Sequence, residues 1–288
     1  MDSNRTFSAY FEELQKLSGQ LGEKLSYIKK ELEKPARSMG IMKVKLESVG
    51  KAIYSNVPAI DLSIFTNHAN DLQKAIQRSI IPTFDGLKNS FQELPKNIQE
   101  VLLLLGENGW YLDLEMPLPT LWYLRDILDE GNLLKAEDTL VKYFENHLCE
   151  FEKSILKKFP SRKHLLKAAF NAHRREEYCL SIPIFLAQTD GICKEAVGQY
   201  LFMKSNRKPQ TAIYVEQIAN DTFMAALLSP LAKTLPINAS ENERPREFNG
   251  LNRHMVLHGE SLDYGSKINS LKAISLVNYV SCVIDIPN

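Results

Sequence analysis

Apolar residues recur three and four positions apart along the chain, and no alternating apolar–polar run of strand length competes with them. That pattern confines the chain to an all-α fold. The last segment shows it most clearly. Ile268, Leu271, Ile274, Val277, Val280 and Ile284 define a helix over 266–284. Upstream, the same spacing predicts helices over 98–105, 121–128 and 134–151. Ser161 is placed to cap a helix running to about 177, with Leu165, Leu166, Ala169, Phe170 and Ala172 facing inward. Ser181, with Pro183 in the first turn, predicts a helix to about 202, and a further one spans 213–228 and stops near Pro230. Asn249 is a candidate cap for a short helix that ends at Gly259, a residue suited to a left-handed stop.

The first ninety residues read as helices over 7–32 and 71–81, interrupted around Pro35, Pro58 and Pro82. Leu14, Leu17, Leu21, Leu25 and Ile28 form a stripe for a bundle core or a partner helix. These signals divide the chain into an N-terminal helical region (1–93), linking helices with an acidic bias (94–160) and a C-terminal helical domain (161–288).

Composition sets the frame for function. With 35 basic and 35 acidic residues the formal charge is zero, so a nucleic-acid partner has to be drawn by a local patch. The charge is unevenly spread. Between Glu107 and Glu152 stand eleven carboxylates, whereas Lys153 to Arg175 holds eight Lys or Arg and none. This basic stretch reads first as a solvated face answering its acidic neighbours, with an RNA-guiding surface as the alternative. The four cysteines are scattered singly, which fits free thiols in a reducing compartment. The densest apolar run, 101–105, is far shorter than the ~18 residues that a membrane span needs, and the N-terminus lacks an apolar signal core. A cytoplasmic location is expected.

Chemistry concentrates between 252 and 259, Asn-Arg-His-Met-Val-Leu-His-Gly. Arg253 and His258 enclose four residues. Histidine exchanges a proton near neutral pH, and a guanidinium grips two phosphate oxygens while negative charge develops. RNA brings its own nucleophile, the 2′-hydroxyl, so such a pair suffices for cleavage without metal. Spacing alone is weak support, because roughly 0.7 such matches arise by chance in a chain of this composition. Residues five apart on a helix also point about 140° away from each other, so Arg253 and His258 converge only near a helix end or against a second copy. His254 and His258 share a face as in a zinc protease, but Met255 stands where the catalytic glutamate belongs, and no metal is expected. His68, His147, His164 and His173 are isolated. Neither a Gly-rich phosphate loop nor a G-x-S-x-G elbow is present, and no cofactor is expected. Gly191 and Gly198, seven apart, suggest a close helix contact.

Residues 248–259, Phe-Asn-Gly-Leu-Asn-Arg-His-Met-Val-Leu-His-Gly, with Asp263-Tyr264-Gly265, Asn269-Ser-Leu-Lys-Ala273 and the upstream 178–191, resemble bacterial HEPN-domain proteins of the R-x4-H ribonuclease type. The likeness is good over 161–283, loose from 94, and absent before that. It implies a four- to five-helix bundle that dimerises so that two motifs line one cleft and cut RNA without metal, leaving a cyclic phosphate. By position, Arg253 would bind the phosphate and His258 would act as acid or base, with His254, Asn252, Asp190 and Tyr264 in support. Tyr264 and Lys272 are expected near the cleft, with a structural role for Tyr264 in the turn as the equal alternative. Toxin or antiphage-defence roles, with an antitoxin or defence partner, are implied by likeness. The rival from another class is a non-catalytic HEPN-like module that binds RNA, a nucleotide or a protein.

Overall fold

A computed structural model describes residues 96–205, 208–218 and 222–284. The expected N-terminal helices and the 14–28 leucine stripe lie outside these residues. Helix α1 covers 96–107. It is followed by α2 (Leu118–Asp129), α3 (Leu133–Asn146), α4 (Leu148–Lys158), α5 (Lys163–Arg174) and α6 (Tyr178–Val197). Three short helices come next, α7 (Gln210–Ile218), α8 (Thr222–Leu227) and α9 (Ser229–Ala232), and then α10 (Arg253–Leu257) and α11 (Lys267–Val283). The described region is mostly helical. A two-residue antiparallel pair, Lys204–Ser205 with Lys208–Pro209, is a small exception to the strand-free expectation.

Helix α11 is the centre of the packing. Ser266 caps it by accepting from the Asn269 amide at 3.1 Å, and its side chains are buried on nearly every face from Ser270 onward. A helix buried on nearly every face must sit among other helices rather than on a surface. Its neighbours include α6, α3 and α4, and α6 packs in turn along α5. Most polar groups inside this core are paired, as burial demands, the Tyr111 hydroxyl being an exception. The Asn278 amide donates to Asp113 at 3.1 Å, and Ser275 accepts from the Tyr111 backbone at 3.2 Å. Where α5, α6 and α11 meet, His173 Nδ1 lies 2.7 Å from Ser270 Oγ, which lies 2.9 Å from Ser181 Oγ.

Burial pushes the pKa of His173 down to about 4, so the folded core holds the neutral ring. The sign of the pH effect follows. Below pH 6.5 the unfolded chain takes up a proton that the folded chain refuses, so stability falls from there down to about pH 4. The total is at most about 3 kcal/mol. Denaturant unfolding across this window should show His173→Gln losing less stability than wild type; equal slopes for the two would exclude His173 as the source.

Several helix limits differ from the sequence reading, each for a local reason. The helix expected over 134–151 breaks at His147, which ends α3 and starts α4. The turn brings the Phe144 and Phe151 rings to 5.3 Å. Ser161 caps nothing. It lies in a 3-10 turn, and Arg162 occupies the cap position while its guanidinium bonds Gln188, the Gly191 carbonyl and Glu195 at 2.9–3.0 Å. Leu165 is exposed, and the inner face of α5 runs through Leu166, Ala169, Phe170 and His173. Helix α6 starts at Tyr178, so Ser181 is a buried interior residue and not a cap. The helix expected over 213–228 is split into α7 and α8, and Pro230 sits in the first turn of α9, where its missing N–H costs nothing. Gly191 makes room for Arg162, since a Cβ there would collide with the guanidinium. Gly198 is the left-handed end of α6, at φ 74°.

Among the described residues Arg174–Glu152 links the acidic and basic stretches, while Glu145 pairs with Lys267 and Glu137 with Lys272, both on α11. Lys153, Lys157, Lys163 and Lys167 are exposed, and no carboxylate pairs with them among the described residues.

Candidate functional site

Helix α10 is five residues long, too short to persist on propensity, so its ends and its seat have to hold it. Asn252, and not Asn249, is its cap. Its side-chain oxygen accepts from the Met255 amide at 3.1 Å. The same side chain donates to the carbonyls of Pro236 and Ala239 at 2.7 and 2.9 Å. One buried amide therefore starts the helix and clamps it to the preceding loop, a structural role beyond the support to Arg253 that the sequence suggests. At the other end Gly259 adopts φ 74°. The Gly259 amide bonds the Val256 carbonyl at 3.3 Å and the Glu260 amide bonds that of Met255 at 2.8 Å, the paired bonds of a Schellman stop. Leu251 and Val256 are buried and seat the helix, which packs on α6 and on the 3-10 turn Pro236–Asn238.

Arg253 opens α10 and reaches toward α6. Its guanidinium nitrogen lies 3.8 Å from a carboxylate oxygen of Asp190, and the group sits 5.6 Å from the centre of the Phe202 ring. The other Asp190 oxygen accepts from the Phe202 backbone at 3.1 Å, so one carboxylate fixes the aromatic platform and supplies the counter-charge. At 3.8 Å the ion pair is too long for a hydrogen bond. The Nε of Arg253 is buried without a partner, and none of the five guanidinium donors makes a hydrogen bond to the described residues. The side chain is 29% exposed. A guanidinium fork that makes no hydrogen bond to the described residues and is partly open to solvent can take an oxyanion.

His254 and His258 project from one face of α10, with ring centroids 4.2 Å apart. Both are exposed. His254 Nε2 lies 3.1 Å from Glu260 Oε1, and Glu260 Oε2 accepts from Arg244 at 3.2 Å. No contact joins Arg253 to His258 within the described residues: the helix turns them apart, as their spacing requires. Among these residues no group of three His, Cys, Asp or Glu is disposed to hold a metal ion.

No family model, curated protein or solved structure matches the chain. Among the described residues no helix is long and apolar enough to cross a membrane.

Two further positions have other partners. The Tyr264 hydroxyl donates to the Cys179 carbonyl at 3.1 Å. Pro183, four residues on, lacks the N–H that would have bonded that carbonyl, so Tyr264 repairs the gap in α6. It touches neither Arg253 nor His258. Lys272 pairs with Glu137 at 2.7 Å and lies over the Trp110 ring. Sequence reasoning missed Phe202, Arg244 and Glu260. Phe202 and Arg244 carry no local signal, but Glu260 follows the glycine stop, the position that folds back onto the last turn.

Proposed function

We propose that the chain is an endoribonuclease of the HEPN type, cutting RNA by 2′-hydroxyl attack without metal at a site shared by two copies. The observation that carries this reading is the Arg253 guanidinium, held by Asp190 and Phe202 with its donors unfilled, on the same short helix as two exposed histidines. Arg253 binds the non-bridging phosphate oxygens and gains most as charge builds on them. His258 takes the proton of the 2′-hydroxyl. The 2′-oxygen bonds phosphorus, the bond to the 5′-oxygen breaks, and that oxygen receives a proton from a second imidazole. The products are a 2′,3′-cyclic phosphate and a free 5′-hydroxyl.

The separation of Arg253 and His258 within one chain supports a composite site, in which each residue meets its complement on a second copy. Leu257 and Leu262, 37% and 91% exposed, flank His258 and provide apolar surface for such a contact. RNA and a second copy are thus the partners, and growth arrest in defence or toxin action, with a neutralising partner, is the physiological setting that the resemblance implies.

End analysis tests the reading. Purified protein incubated with end-labelled RNA should yield fragments with cyclic phosphate and 5′-hydroxyl ends, sensitive to the loss of Arg253 or His258. Wild-type protein that binds RNA and leaves it intact would favour the binding module instead.

A further inference from the structure

We propose that Glu260 is a positioning residue of this site, fixing His254 and through it the ring of His258. The inference rests on the reading of Arg253 and His258 as the acting residues. Its origin is the stop at Gly259. In a Schellman ending the residue after the glycine folds back over the last turn, where it usually makes an apolar contact. Here that residue is Glu260, its amide bonded to the Met255 carbonyl at 2.8 Å, and its carboxylate meets His254. An apolar contact has been replaced by a charged one beside the candidate reactive pair.

The carboxylate has a firm base. Arg244 is only 7% exposed at its side chain and donates to Glu260 Oε2 at 3.2 Å, leaving Oε1 for His254 Nε2 at 3.1 Å. An unprotonated nitrogen at that distance would set its lone pair against the carboxylate, so the proton of His254 sits on Nε2. Carboxylates that face a histidine in this way fix its tautomer and ring orientation. His258, by contrast, has the His254 ring at 4.2 Å and no side-chain hydrogen bond or ion pair among the described residues. One imidazole is anchored and the other is free, and the free one takes its orientation from the anchored one.

The test pairs spectroscopy with kinetics on Glu260→Ala and Glu260→Gln, the second keeping the size and one acceptor oxygen. Imidazole nitrogen NMR of the intact protein should show the Nε2–H form of His254 in wild type, a mixture of tautomers in Glu260→Ala, and partial return in Glu260→Gln. On an RNA substrate, Glu260→Ala should lower kcat about tenfold, the low end for partners that orient a histidine, with KM within about twofold. Glu260→Gln should recover most of that loss. Unchanged His254 tautomer in Glu260→Ala overturns the inference, as does full kcat in that variant while Arg253→Ala is inactive. If Arg253→Ala and His258→Ala cut RNA as well as wild type, the nuclease reading fails, and the NMR result still decides whether Glu260 positions His254.

Discussion

Arg253→Ala should lower RNA cleavage by about two to three orders of magnitude and His258→Ala by about two to four, while the fold, followed by circular dichroism and thermal unfolding, should stay close to wild type. The size for Arg253 follows from removing a donor aimed at a developing oxyanion, typically about 10²–10³ in rate. For His258 it follows from losing a positioned acid or base, about 10²–10⁴. Neither change should harm the fold. His258 is exposed, and Arg253 trades a long ion pair and an aromatic contact for the relief of an unpartnered buried Nε. Because the two act on one reacting phosphate, the double variant should be little worse than either single one. Arg253→Lys is the sharper probe. It keeps the charge but not the planar fork, so recovery well below wild type is expected. Activity retained by either alanine variant removes that residue from the chemistry.

Asn252→Ala carries the second large effect, this time on stability. The change deletes the cap of α10, worth about 1 kcal/mol. It also leaves the carbonyls of Pro236 and Ala239 without the donor that now serves both. Each such buried group costs about 1–3 kcal/mol. With some relief from water, the loss comes to about 3 kcal/mol, or a fall in Tm of roughly 6–12 °C for a domain of this size. Asn252→Asp separates the two contributions: it keeps the capping oxygen and loses the amide donor, so it should recover the cap alone. Cleavage should fall with stability in the alanine variant, since Arg253 and His254 stand on the five residues that Asn252 holds and His258 caps their far end. A Tm within about 2 °C of wild type would show that α10 is held by its apolar seat.

Fold class and the last helix were legible in the chain because periodicity and caps are local. Ser266 caps α11 where the sequence placed the start, and Leu271, Ile274, Val277 and Val280 are all buried. The glycine stop was equally plain, since φ 74° at Gly259 is what glycine tolerates best. Capping by Ser161 and Ser181 was misread for a reason that periodicity cannot supply. Both serines have the chemistry of a cap, but Arg162 is drawn to the Gly191 carbonyl on another helix, and Ser181 to Ser270 on a third. Long-range partners overruled local ones. In the candidate site, Arg253 and the histidines stood out by residue type, and Asp190, 63 positions earlier, fell within 3.8 Å of Arg253 only because α10 packs on α6. Phe202 had no signal of its own. Its place under Arg253 follows from the bond between its backbone and Asp190.

Metal-free attack by the 2′-hydroxyl is tested most directly by changing the substrate at a single sugar. An RNA oligonucleotide cut by the wild-type protein is resynthesised with a single 2′-deoxy sugar at the cut, and both forms are incubated in the presence of EDTA. Cleavage of the all-RNA strand at an undiminished rate, with the deoxy position intact, is the predicted result; cutting at the deoxy position, or loss of cutting in EDTA, would contradict it.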